Sequence, residues 1–284
     1  MPELLLDKYL LYLRVERGHS QNTIESYNRD LSDYISYLTD REIPVSKASR
    51  SHIMDYLLMK RNTLSVSSVA RLLAAVKSFY NYMIIDDLVS ENPASDIDSP
   101  KLGQKLPTVL NQDEVDKLIN AASRPKDRLL IELLYATGIR VSEAAGLKVE
   151  DCDLDEGWLR IYGKGGRERS VPIGKKLIRM IKKYLKEKNM TPGFFVFSKK
   201  DGRSMTREAL WKIVKKSSRT AGLKKDIGPH TLRHTFATHM LENGSDLRII
   251  QELLGHANID TTQIYTHINR RNLKDIHRRY HPRG

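Results

Sequence analysis

Apolar side chains recur at helical spacing through the first hundred residues of this 284-residue chain. Leu4-Leu5-Leu6, Tyr9-Leu10 and Tyr12-Leu13 mark the inward face of a first helix. Ser20 precedes Gln21-Asn22-Thr23-Ile24-Glu25 and reads as an N-cap, because a hydroxyl there accepts one of the free backbone N–H groups of a helix start. The helix it opens runs to Leu38, and two more are predicted at about Ser51 to Lys60 and Ser65 to Ile85. The pattern ends at Glu91-Asn92-Pro93, where proline removes a donor and blocks continuation of a helix.

From Ile97 to Pro107 the sequence IDSPKLGQKLP is polar, basic and aperiodic, so it reads as a linker between residues 1–96 and a second unit, residues 108–284. That second unit mixes two periods. Its first strong helix is expected from Asp127 to Ala136, stopped at Thr137-Gly138, and Arg140 opens another through Ala145. Trp158–Tyr162 and Arg169–Ile173 flank the tip Gly163-Lys164-Gly165-Gly166, which predicts a β-hairpin with a lysine on its turn. Helices return over Lys175 to Glu187, Thr206 to Ser218 and, with Pro229 as first residue, His230 to Glu242. The expected class is mainly α with a small antiparallel β-sheet, a helical N-terminal domain followed by an α+β domain.

The chain is 40% hydrophobic and 29% charged, which argues against a disordered or membrane-dominated protein. Apolar runs such as Ile131 to Ala136 are too short to cross a bilayer, and Met1-Pro2-Glu3-Leu4 lacks the basic start of a signal peptide, so a cytoplasmic protein is expected. Cys152 is the one cysteine and is expected to be a small buried or half-buried residue with no role. The net charge of +13 is unevenly spread: residues 1–100 hold 11 Lys and Arg against 14 Asp and Glu, the remainder 37 against 21. A polyanion, nucleic acid above all, is therefore expected mainly on the second half, with a solvated basic surface as the alternative. In the first half Lys60, Arg61, Arg71 and Lys77 are candidates for backbone contact, again with solvation as the alternative.

Reactive side chains concentrate between His230 and Tyr265. An Arg fork holds two nonbridging phosphate oxygens, a histidine exchanges a proton near neutral pH, and a deprotonated phenol is a nucleophile. On the helix after Pro229, Arg233 and His234 project toward the side of His230, while Leu232, Phe236, Met240 and His239 turn to the core. His230 and His234 also have the i, i+4 spacing of a zinc pair. Against that, no Glu follows in the HExxH manner, no acidic or thiol cluster adds ligands, and Arg233 would set a positive charge beside the cation. Leu247 to Ile268, broken at Gly255, resembles a helix-turn-helix, which leaves the histidines and Tyr265 unexplained. The Gly163–Gly166 tip lacks P-loop spacing and reads as a tight turn whose Lys164 can reach a groove or donate a proton. Arg140 has an ion pair with Glu143 at i, i+3 as its structural alternative.

Together these positions resemble the signature of the tyrosine site-specific recombinases: Arg140 in ATGIRVSE, Lys164 in GKGGRER, His230 and Arg233 in HTLRH, His256 in LLGH and Tyr265 in TTQIYTH, all filled and in order. SQNTIESYNRDL and SVARLLAAVKSFYNYM are similar to the core-binding helices of the family's Xer branch, and the terminal HPRG resembles Xer C-termini. The resemblance implies a DNA-clamping core-binding domain over 1–96 and a catalytic domain over 108–284 that ends in a docking tail near Asn272 to Gly284.

It further implies that Tyr265 attacks phosphorus to form a 3′-phosphotyrosyl link and free a 5′-hydroxyl. Arg140 and Arg233 would hold the nonbridging oxygens, His230 manage the tyrosine proton, His256 add a hydrogen bond to the phosphate, Lys164 protonate the leaving oxygen, and Glu143 brace Arg140. No metal, cofactor or ATP is required, because the link preserves the phosphodiester energy. The implied partners are double-stranded DNA with paired half-sites, further copies of the chain or a paralogous recombinase in a tetramer on two duplexes, and a DNA translocase. Chromosome-dimer resolution is the expected process. The alternatives are plasmid or mobile-element recombination, a type IB-like topoisomerase, a metal-dependent nuclease and a non-catalytic DNA-binding protein.

Overall fold

The computed structural model describes residues 2–100, 108–163, 168–199, 201–255 and 270–284. The chain divides into two units, Met1–Lys105 and Leu106–Gly284. It is mainly helical with one small antiparallel sheet. Among the described residues no helix is long and apolar enough to cross a membrane.

The first unit holds α1 (Pro2–Val15), α2 (Gln21–Thr39), α3 (Arg50–Arg61) and α4 (Val66–Ile85). Ser20 and Ser65 cap α2 and α4 by accepting from Thr23 N and Ser68 N. For α3 the cap is Ser49, slightly earlier than the apolar pattern suggests. Leu31, Tyr34, Leu38, Ile53, Tyr56, Leu73, Val76 and Phe79 fill the core. Two of its buried phenols are wired rather than merely packed: Tyr80 donates to Val45 O at 2.9 Å, which leaves its oxygen to accept from Tyr34 at 3.0 Å. Ile97, expected in the linker, is buried in this core. Three of the four cations expected along a polyanion are engaged within the unit. Arg71 forks onto Asp30 at 2.8 and 3.0 Å, Lys60 meets Asp33 at 2.9 Å, and Lys77 donates to Ser95 O at 2.9 Å.

The second unit is built around α6 (Pro125–Thr137), buried along most of its length, with Leu129, Leu130, Leu133 and Leu134 all within the core. Before it comes α5 (Gln112–Ala121), a helix the apolar pattern did not suggest. Asn111 and Glu114 form a capping box there, at 2.8 and 2.9 Å. After α6 the chain makes α7 (Val141–Gly146), then β1 (Cys152–Asp153), β2 (Trp158–Tyr162) and β3 (Glu168–Pro172), ordered β1-β2-β3 and antiparallel. The predicted hairpin is β2–β3, and β1 adds a short third strand. Next come α8 (Lys175–Glu187), α9 (Arg207–Thr220), α10 (Pro229–Glu242), α11 (Leu247–Leu254) and α12 (Arg270–Tyr280). Cys152 is half-buried, and burial pushes its thiol up to about 12, so it is no nucleophile at neutral pH.

The segment after Asn272 packs on its own unit. Leu273 joins Phe236, Met240 and Leu253 in a small core, and His277 and His281 stack against each other beside Phe236. Arg283 reaches Asp116 on α5 and lies 3.0 Å from the buried Glu132 of α6.

Candidate active site

The site forms where α6 ends. Gly138 closes that helix in the left-handed conformation, with φ of 61°, and a side chain on it would meet Phe236 Cδ1 at 2.6 Å and Leu254 Cδ2 at 2.7 Å. Two residues on, Arg140 caps α7. Its backbone N–H donates to Glu143 Oε2 at 2.7 Å and its Nη1 to Glu143 Oε1 at 3.1 Å. The i, i+3 pairing expected from the sequence is thus present. It leaves the guanidinium partly exposed, its side chain 41% accessible, while Glu143 is buried.

Arg233 lies on α10, one turn after the exposed His230. Its Nη1 donates to Gly138 O at 2.6 Å and its Nη2 to Leu254 O at 2.7 Å. Both carbonyls terminate helices, so a cation suits them twice, by hydrogen bond and by the negative end of each helix dipole. Burial pulls the Arg233 guanidinium down to about 10, Arg140 and Arg169 add to that and Glu143 opposes it. It remains protonated at neutral pH.

Arg169 was expected only as a strand residue. It lies on β3, and its Nη1 and Nη2 fork onto Glu143 Oε1 and Oε2 at 3.0 and 2.7 Å while its Nε donates to Leu253 O at 3.0 Å. A signal for it existed. In a strand Arg169 shares a face with Val171, which is fully buried, and a charge on an inward face implies a buried counter-ion. Burial alone would raise the Glu143 carboxyl. Arg169's hydrogen bonds, the Arg140 N–H and both guanidinium charges outweigh it and hold the group below the usual range.

The structure therefore gathers Arg140, Glu143 and Arg233 and adds Arg169. One carboxylate against these guanidinium groups leaves an excess of positive charge at a partly open place, which favours an anion such as a phosphodiester. His234, which follows Arg233 in sequence on α10, is half-buried. His239 is buried, as expected, with its Nδ1 2.8 Å from Tyr135 Oη. Lys164, His256 and Tyr265 lie outside the described residues. Among the described residues no group of three or more His, Cys, Asp or Glu is arranged to hold a metal ion.

Residues 108–272 match the family model described as the phage integrase family, and residues 6–85 match the phage integrase N-terminal SAM-like domain. Tyrosine recombinase XerD of Oceanobacillus iheyensis is 42% identical over 299 residues, covering 100% of both chains. Tyrosine recombinase XerD of Listeria monocytogenes serovar 1/2a is 44% identical over 294 residues, covering 99% of each. Among solved structures, XerH site-specific recombinase bound to palindromic difH substrate in a post-cleavage complex has a TM-score of 0.72 at 27% identity, covering 91% of this chain and 80% of that one. A lambda integrase tetramer bound to a Holliday junction has a TM-score of 0.75 at 20% identity, covering 91% and 75%, a likeness of fold.

Proposed function

The chain belongs to the phage integrase family, as a tyrosine recombinase that cuts and rejoins DNA strands through a tyrosine, and from that premise we propose how its residues share the work. Tyr265 Oη attacks the scissile phosphorus, the bond from phosphorus to the 5′ oxygen breaks, and a 3′-phosphotyrosyl link forms. His230 takes the phenol proton, and Lys164 returns a proton to the leaving 5′ oxygen. Arg140 and Arg233 hold the nonbridging oxygens as negative charge grows on them, and His256 adds a hydrogen bond. Arg233 is set for this because its fork is already fastened to Gly138 O and Leu254 O, so little reorganisation accompanies the reaction. A 5′-hydroxyl from a partner duplex reverses the step and exchanges strands.

The observation that carries the assignment is the ring of Arg140, Arg169 and Arg233 about the single buried carboxylate of Glu143. The positive charge left over favours a phosphodiester there. The first unit acts as a DNA clamp whose core extends to Ile97, joined through the rest of the 97–107 linker to the catalytic unit 108–284. The active form is a tetramer on two duplexes with paired half-sites, made of this chain alone or with a paralogous recombinase, and a DNA translocase regulates it. Likeness to proteins named XerD supports chromosome-dimer resolution in the cytoplasm.

The test uses a nicked suicide duplex carrying the recombination site, in excess EDTA. The native chain forms a covalent protein–DNA adduct and Tyr265→Phe does not. An adduct at full yield from Tyr265→Phe would remove Tyr265 as nucleophile, and loss of the native adduct in EDTA would point to a metal-dependent reaction.

A further inference from the structure

Three elements that are separate in sequence, β3, α7 and the end of α11, meet at one side chain. Arg169 stands on β3, five residues after Lys164 in sequence. Its Nη atoms take both oxygens of Glu143, the carboxylate that also holds the backbone and guanidinium of Arg140. Its Nε takes the carbonyl of Leu253 in the last turn of α11, next to the Leu254 carbonyl that holds Arg233 and just before Gly255 and His256. Gly255 packs on it so closely that an added Cβ would lie 3.1 Å from both Arg169 Cδ and Nη1. The side chain is only 14% accessible, so its guanidinium is spent on these contacts and not offered to a ligand.

We propose that Arg169 is the positioning residue of the site, a cross-brace that sets Arg140 through Glu143 and joins the hairpin arm to the end of α11. This rests on the proposed roles of Arg140 and Arg233 in phosphate binding. Five donors in a planar fork make such a brace possible, since three leave the guanidinium in fixed directions toward Glu143 and Leu253. A lysine has the charge without the fork. Removing the guanidinium leaves Glu143 buried with its other partner, Arg140, which is drawn inward to neutralise it and away from the phosphate. Rate is then lost without loss of DNA affinity, which depends on many phosphate contacts elsewhere.

The experiment compares the native chain, Arg169→Ala, Arg169→Lys and Arg140→Ala on the nicked suicide duplex, following adduct formation in single turnover with DNA affinity measured in parallel. Arg169→Lys and Arg169→Ala are expected to lower the cleavage rate by about 100-fold at saturating DNA with affinity changed by less than about threefold. Added guanidinium or methylguanidinium restores part of the Arg169→Ala rate and none of the Arg140→Ala rate. The acid limb of the rate profile moves to higher pH in Arg169→Lys, because Glu143 loses the hydrogen bonds that hold its carboxyl down. If Arg169→Ala does not fold, Arg169→Lys and its pH profile carry the test. Should the Arg169 variants cleave at the native rate with an unmoved pH profile while Arg140→Ala is inactive, the brace is wrong and the phosphate-binding assignment stands. Native cleavage by Arg140→Ala would overturn that assignment instead.

Discussion

His277 Nε2 lies 2.8 Å from the carbonyl of Ala136, so an imidazole in the last helix satisfies one of the free carbonyls at the C-terminal end of α6. His281 stacks on His277 at 5.1 Å, and His239, Tyr135, Glu132 and Arg283 surround the pair. Burial pulls His277 from 6.5 to about 4 against the effect of its bond to Ala136. Burial, followed by the charges of His277, His239 and Arg283, carries His281 well below its ordinary value. Between those limits the unfolded chain binds protons that the folded chain refuses, so stability rises with pH.

The His277 contribution is complete above about pH 6.5, is lost as the pH falls, and levels off below about 4. Its size is on the order of 3 kcal/mol. Thermal melts of the native chain are expected to drop between pH 7 and 5. His277→Gln keeps a donor for Ala136 and cannot titrate, so its melting temperature varies less over that range. Equal pH slopes for the two would show that another group titrates.

Gly138 serves three purposes at once, which predicts a double penalty for Gly138→Ala. The φ of 61° costs an L side chain about 1 kcal/mol, and a Cβ within 2.6 Å of Phe236 adds about 1 to 3 kcal/mol of overpacking. Its carbonyl also anchors Arg233. A lowered urea midpoint should therefore come with slower adduct formation at saturating DNA. Loss of stability with an unchanged cleavage rate would detach the anchor from the chemistry.

These dependencies explain what could and could not be read from the sequence. Ser20, Ser65 and Thr206 announce α2, α4 and α9 because a cap and its helix are local. Arg140, Glu143 and Arg233 were visible as residue types at meaningful spacings. Helix α5 was missed because the apolar pattern of Val115, Leu118 and Ile119 is short, although its capping box at Asn111 and Glu114 is equally local. Strand β1 is two residues long and exists because β2 offers it an edge. Arg169 escaped notice because its partners lie 26 and 84 residues away, and only its register with Val171 hinted at burial. The histidine stack is likewise tertiary: His277 and Ala136 are 141 residues apart.

In the first unit Arg71 and Asp30 form a fork-to-fork pair whose carboxylate is buried and whose guanidinium is partly exposed, 43% by side chain. Arg71→Ala strands the carboxylate of Asp30, and the partial exposure of the arginine reduces the penalty to about 1 to 3 kcal/mol. Arg71→Ala with Asp30→Asn should recover part of that loss, because no buried charge remains. If the double variant is no more stable than the single one, the pair contributes through packing of the arginine stem. Denaturant melts of the intact chain read both.

Arg283 and Glu132 make the corresponding argument for the tail. Glu132 is fully buried, its Oε2 accepts from Lys176 at 2.9 Å, and its Oε1 faces Arg283 Nε at 3.0 Å without the alignment of a hydrogen bond. A tail that docks on a neighbouring protomer must first surrender this ion pair, the Asp116 contact and the His281 stack. Deleting residues 281–284 is therefore expected to destabilise the second unit by about 2 to 4 kcal/mol as well as to impair coupled cleavage, with DNA binding retained. Adding Glu132→Gln to the truncated chain removes the charge left without Arg283 and should restore at least about 1 kcal/mol in urea melts. No recovery would assign the loss to the packing of His281 against Tyr135 and Phe236, and full recombination by the truncated chain would reject docking in trans.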